Sequence, residues 1–158
     1  MNKILSQALK KAVSEYSPEV KEVERNNRPD LFSLNSETEL FQNEKGIIIN
    51  TASVAALEGQ KGQVAYAASK GGVAAMTLPI ARDLARDHIR CGCIAPGLFL
   101  TPMFEGLGEE VCETLAKDVI FPKRLGNAEE FAQYAVQIVE NQYINGSVLR
   151  LDGGIRLA

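Results

Sequence analysis

The chain has 158 residues, of which 46% are apolar and 23% charged, with 13 glycines, 6 prolines and no tryptophan; this is the profile of a folded domain and excludes collagenous, low-complexity and wholly disordered classes. A net charge of -3 without a sustained Lys/Arg stripe gives no footprint for a phosphate backbone, so nucleic acid is not an expected partner. No run of apolar residues is long enough to span a bilayer, so no membrane partner is expected, and Cys91, Cys93 and Cys112 have the spacing of neither a disulfide framework nor a zinc site.

Two unequal parts follow from composition, 1–45 and 46–158, because every glycine comes after Lys45. In the first part Ile4, Leu5, Ala8, Leu9, Ala12, Val13 and Tyr16 are spaced for an amphipathic helix, Ser17-Pro18 and Arg28-Pro29 read as breaks, and a weaker helical pattern covers Leu31 to Phe41. Lys3, Lys10 and Lys11 are soon followed by Glu15, and no cleavage site follows a hydrophobic run. The expected compartment is therefore reducing, cytoplasmic by default and mitochondrial matrix as the alternative.

From Gly46 onward short apolar runs alternate with helical ones. Ile47 to Ile49 is a continuous β-branched run, as in a strand buried on both faces. Tyr66 to Arg86 carries Val73, Met76, Thr77, Ile80 and Leu84 at helical spacing, with Pro79 as a kink. Ile89 to Ala95 is a second strand stopped by Pro96-Gly97, and Cys91 and Cys93 on it are expected to pack as small apolar groups. Helices are expected over Glu109 to Asp118 and Ala128 to Glu140, the latter capped by Asn127, and a third strand over Ser147 to Leu151. Strands alternating with helices define the α/β class with a parallel sheet.

Tyr66 and Lys70 lie four apart and so share a helix face, where an ammonium favours the phenolate and makes a sensible acid/base pair; the pair reads equally as an exposed surface contact. Ser53 follows the first strand at the carboxyl edge where open α/β sheets bind ligands, and its hydroxyl serves either a substrate oxygen or a turn. Pro96 to Thr101 again follows a strand: Gly97 permits close approach of a flat ligand, Thr101 offers a hydroxyl, and the same residues suit a strand-to-helix turn. His88 is read as a helix-end residue, and Arg150 and Arg156 as solvated surface.

Asn50-Thr51-Ala52-Ser53, Tyr66-Ala67-Ala68-Ser69-Lys70, Ala95-Pro96-Gly97 and Leu151-Asp152-Gly153-Gly154, in this order and spacing, resemble the short-chain dehydrogenase/reductase family over residues 46–158. Ile94 to Phe99, Arg124-Leu125-Gly126 and Asn145-Gly146 are similar to its 3-hydroxyacyl-CoA dehydrogenase branch. The resemblance implies the carboxyl-terminal half of a Rossmann-like parallel sheet and hydride transfer between NAD and a secondary alcohol or ketone, with 3-hydroxyacyl-CoA or a hydroxysteroid as the small-molecule substrate. It implies Tyr66 as general base or acid, Lys70 on the nicotinamide ribose, Ser53 on the substrate oxygen, and Pro96, Gly97, Leu98, Phe99 and Thr101 along the nicotinamide. Homo-oligomers are implied as well. Complete members open with a Gly-rich turn at the pyrophosphate, whereas no glycine precedes Gly46 here. Three readings therefore stand: an NAD-dependent dehydrogenase, a catalytically inactive relative that acts as an oligomerising or interaction module, and an incomplete gene product whose other half is lost or encoded separately.

Overall fold

A computed structural model describes residues 44–101 and 108–157. Three parallel strands, β1 (Gly46–Thr51), β2 (Ile89–Pro96) and β3 (Val148–Leu151), form a sheet in the order β1-β2-β3. Ile48 pairs with Cys91 across β1 and β2, and Ile94 with Leu149 across β2 and β3. Parallel neighbours need crossovers, and helices supply them: α1 (Val64–Leu84) joins β1 to β2, while α2 (Glu109–Ala116) and α3 (Ala128–Glu140) lie between β2 and β3. The α/β expectation holds. The expected helices over 1–45 lie almost entirely outside the described residues.

The central strand carries the core. Cys91, Cys93, Ile94 and Ala95 on β2 are sealed from solvent, as expected of the two cysteines, and burial pushes the Cys91 thiol up from its ordinary range, with the neighbouring Cys93 adding to the effect. Ile47 and Ile94 pack against Phe131, Ala135 and Ile138 of α3, with Leu149 and Leu151 of β3 alongside. A second cluster of Val54, Val119 and Ile155, flanked by Leu98 and Leu157, lies beyond the carboxyl ends of the strands. The two-faced burial expected of β1 is met only at Gly46 and Ile47; Ile48 to Asn50 are half-buried, because β1 occupies a sheet edge among the described residues.

The α3 helix begins as expected, in a capping box: the Glu130 carboxylate accepts the Asn127 backbone N–H at 2.8 Å. Its other end is held by Arg90, 7% exposed, whose guanidinium donates to the carbonyls of Ile138 (2.9 Å), Val139 (2.7 Å), Asn141 (3.2 Å) and Ile144 (2.8 Å) while pairing with Glu44 at 2.8 Å. A cation at a helix carboxyl end satisfies carbonyls that have no partner within the helix.

The α1 helix differs from expectation. It starts at Val64, passes through Pro79 and ends at Leu84, and Ala85–Asp87 forms a short 3-10 turn closed by His88 in the left-handed region. Thr77 and Ala81 are its buried residues, and Met76 faces solvent. Of the other residues spaced for its inward face, Val73, Ile80 and Leu84 are half-buried, and most of the helix faces solvent among the described residues.

Candidate active site

The carboxyl end of β1 and the amino-terminal turns of α1 build one corner of the molecule. After Thr51 the chain turns into a 3-10 helix, Val54–Ala56, for which Ser53 is the N-cap; its Oγ accepts the Ala55 N–H at 3.1 Å. That bond fixes the side chain and leaves the hydroxyl proton and a second lone pair for another partner. The Ala67 Cβ on α1 lies 3.0 Å from where a Cβ on Gly59 would stand, so α1 packs directly on the segment that follows Ser53.

Lys70 reaches across this junction. Its ammonium donates to the Thr51 carbonyl at 3.1 Å, which anchors the charge at the carboxyl edge of β1, two residues from Ser53. One turn earlier on the same helix face stands Tyr66, 48% exposed. Asn50, the last half-buried residue of β1, donates to Thr77 Oγ1 at 3.4 Å and so ties strand to helix further along. The structure thus brings Ser53, Tyr66 and Lys70 to a common edge through the backbone that carries them.

The Pro96 to Thr101 segment leaves β2 at that carboxyl edge and is pinned on both sides. Gly97 donates to the Leu151 carbonyl at 2.9 Å, and a Cβ there would stand 2.8 Å from Asp152 Cβ, so only glycine fits. Leu100 donates to Gly126 at 2.7 Å and Gly126 to Leu98 at 2.9 Å; the Phe99 ring covers Gly126 and meets Phe131 edge to face at 6.0 Å. Leu98 packs on the Val54, Val119 and Ile155 cluster, and Thr101 is exposed. Leu98 and Phe99 thus have their side chains packed on protein, the close approach that Gly97 permits is to Asp152 rather than to open space, and Thr101 is exposed.

A shallow cleft lies beside this loop, lined by Leu98, Phe99, Pro122, Arg124, Glu130 and Asp152 among others, and by none of Ser53, Tyr66 and Lys70. On its rim Arg124 and Glu130 form a bidentate pair at 2.8 Å and 2.8 Å. The Arg124 guanidinium, aided by the Asn127 N–H, holds the Glu130 carboxyl down at about 2 despite its partial burial.

The expectation that Arg150 is solvated surface is overturned. Its guanidinium bonds Glu58 at 2.7 and 3.3 Å, Asp152 at 2.6 Å and the Ile155 carbonyl at 2.9 Å, because the folded tail brings two carboxylates and a carbonyl around it. Arg156 is more exposed but also meets Glu58, at 3.5 Å, and Asp152, at 3.4 Å. Sequence reading missed Glu58: its partner lies far along the chain, and no local spacing marks it.

Residues 26–156 match the family described as "Enoyl-(Acyl carrier protein) reductase". The chain is 58% identical over 125 residues to the human 3-hydroxyacyl-CoA dehydrogenase type-2, covering 75% of this chain and 48% of that protein, and 54% identical over 114 residues to the Drosophila melanogaster protein of the same name, covering 72% and 45%. It is 39% identical over 118 residues to a bovine 3-oxoacyl-[acyl-carrier-protein] reductase, covering 75% and 48%. The crystal structure of a 3-hydroxyacyl-CoA dehydrogenase type-2 from Mycobacterium avium superimposes with a TM-score of 0.69 at 47% identity, covering 73% of this chain and 45% of that one. The chain belongs to the short-chain dehydrogenase/reductase family of oxidoreductases. It spans about half the length of the curated relatives it matches.

Proposed function

We propose that this chain takes part in hydride transfer between NAD and a secondary alcohol or ketone of the 3-hydroxyacyl-CoA type. The observation that carries the reading is the anchoring of Lys70 on the Thr51 carbonyl at 3.1 Å, which sets an ammonium two residues from Ser53, one helical turn after Tyr66, at the edge where open parallel sheets bind ligands. The similarity to 3-hydroxyacyl-CoA dehydrogenases type-2 supports the substrate class. The reading takes 46–158 as the core of the dehydrogenase unit, with the family match reaching upstream to residue 26.

The donor set fits the nicotinamide riboside end of a dinucleotide. A tyrosine hydroxyl and a lysine ammonium on one helix face suit vicinal ribose hydroxyls, and the Thr101 hydroxyl suits the carboxamide, with Pro96, Gly97, Leu98 and Phe99 shaping the loop. When bound, NAD supplies the hydride acceptor. Ser53 Oγ donates to the oxygen of the substrate and orients it. Tyr66 Oη takes the hydroxyl proton as the alcohol becomes a carbonyl and returns it in the reverse direction. Lys70 would hold the ribose hydroxyls.

Titration of the full chain with NADH, followed by nicotinamide fluorescence, tests the cofactor claim; saturable binding at micromolar concentration supports it, and a flat response up to millimolar NADH from folded protein overturns it. Reduction of acetoacetyl-CoA by NADH tests the chemistry. Turnover unaltered in Tyr66→Phe would remove Tyr66 from the reaction.

A further inference from the structure

The segment from Arg150 to Leu157 touches both loops of the candidate site. On one side it holds the segment after Ser53: Arg150 Nη1 donates to Glu58 Oε1 at 2.7 Å and Nη2 to Oε2 at 3.3 Å, and the Leu157 N–H donates to the same carboxylate at 3.2 Å. Glu58 in turn donates its own N–H to the Val54 carbonyl at 2.9 Å, which closes the turn that Ser53 caps. Val54 and Ile155 pack together beneath these polar contacts. On the other side the segment holds the loop after β2, through the bond from the Gly97 N–H to the Leu151 carbonyl at 2.9 Å and the abutment of Gly97 on Asp152.

Asp152 joins the two halves. One carboxylate oxygen accepts Arg150 Nε at 2.6 Å, and the other accepts the Gly154 N–H at 3.0 Å, which shapes the tail so that the Ile155 carbonyl also accepts from Arg150, at 2.9 Å. The ion pair itself is partly buried, the Arg150 and Glu58 side chains being 23% and 26% exposed, over the sealed Val54 and Ile155. Partial burial and bidentate geometry make such a pair more directional than a surface ion pair.

The geometry points to Glu58 and Arg150 as positioning residues: with Asp152 they form a clamp by which the carboxyl-terminal segment sets the Ser53 loop and the Gly97 loop relative to each other. This rests on the dehydrogenase reading for its consequence in catalysis, but the clamp itself has a readout that needs no turnover. Glu58 is hydrogen-bonded to none of Ser53, Tyr66 and Lys70 and acts only through the turn that Ser53 caps.

Amide hydrogen exchange on the full chain tests the clamp. In Glu58→Gln, which keeps the shape and removes the charge, exchange at Ala55, residue 58 and Gly97 rises about tenfold while amides of α3 and the centre of β2 stay within about twofold. Arg150→Lys, which keeps the charge but loses the fork, rises less. No change at these amides, or a rise matched by α3, overturns the clamp as a local device. The catalytic consequence is read with NADH and acetoacetyl-CoA: kcat falls about tenfold in Glu58→Gln, KM for NADH stays within about twofold, and Arg150→Lys falls between parent and Glu58→Gln. Unaltered kcat with altered exchange overturns the positioning role. A parent chain without turnover overturns the dehydrogenase reading and leaves the clamp to be decided by exchange.

Discussion

The two long helices of this chain are built on opposite plans. In α3, 13 residues long, Phe131, Ala132, Ala135, Val136 and Ile138 are buried, the start is closed by a capping box and the end by the Arg90 guanidinium. In α1, 21 residues long, only Thr77 and Ala81 are buried, the N-cap Gln63 makes no side-chain bond, and Tyr66 stands half exposed. Packing carries the first helix, and the second stays accessible, tied down through backbone acceptors and close contacts of small residues. The difference teaches that one helix is held by a sealed apolar face and two closed ends, whereas the other keeps most of its length in contact with solvent.

The comparison can be broken first at α1. Tyr66→Phe is expected to lower turnover of acetoacetyl-CoA by about a thousandfold while leaving the urea midpoint unchanged, because a half-exposed hydroxyl contributes to proton transfer and not to packing. A shift in the midpoint comparable to that of a core variant would erase the distinction between the helices. At α3 the reverse holds. Arg90→Met strands the Glu44 carboxylate and leaves the Ile138, Val139 and Ile144 carbonyls without the guanidinium donor, at a cost of about 3 kcal/mol in urea unfolding.

Smaller effects sharpen the picture. Gly97→Ala places a Cβ 2.8 Å from Asp152 Cβ, so the loop must shift; about 1–2 kcal/mol of stability is expected to be lost, together with NADH affinity measured by fluorescence. Smallest is the pH dependence at the rim of the cleft. The Glu130 carboxyl is held at about 2 against an ordinary 4.5, so the folded chain binds fewer protons than the unfolded chain between these values. Its stabilisation is present above about 4.5 and is lost as pH falls toward about 2. The urea midpoint of the parent should therefore drop over that window by a few tenths molar more than that of Glu130→Gln, the pair being partly exposed and screened. The Glu58 carboxyl, lowered chiefly by its hydrogen bond from Arg150, acts in the same direction.

Much of the fold was legible because its signals are local. The bounds of α3 follow from Asn127 and the apolar spacing behind it, β2 stops where Pro96-Gly97 end its run, and the motif order of Ser53, Tyr66 and Lys70 marks one sheet edge. The inward face of α1 was legible in part: Thr77 is buried and Val73, Ile80 and Leu84 are half-buried, while Met76 faces solvent. Leu98 and Phe99, expected along a cofactor, have side chains that pack on protein, a fact set by Gly126 and Ile155 far along the chain.

By itself the sequence determined the alternation of strands and helices, the parallel sheet and the residue types at its carboxyl edge, since each depends on neighbours within a turn or a strand. Only the tertiary structure decided that Arg90 closes α3, that Gly126 holds the Phe99 loop, and that Arg150 grips Glu58. These contacts join residues whose distance along the chain carries no periodic signal, and they exist because the register of β2 against β3 and the path of the tail bring their backbones together.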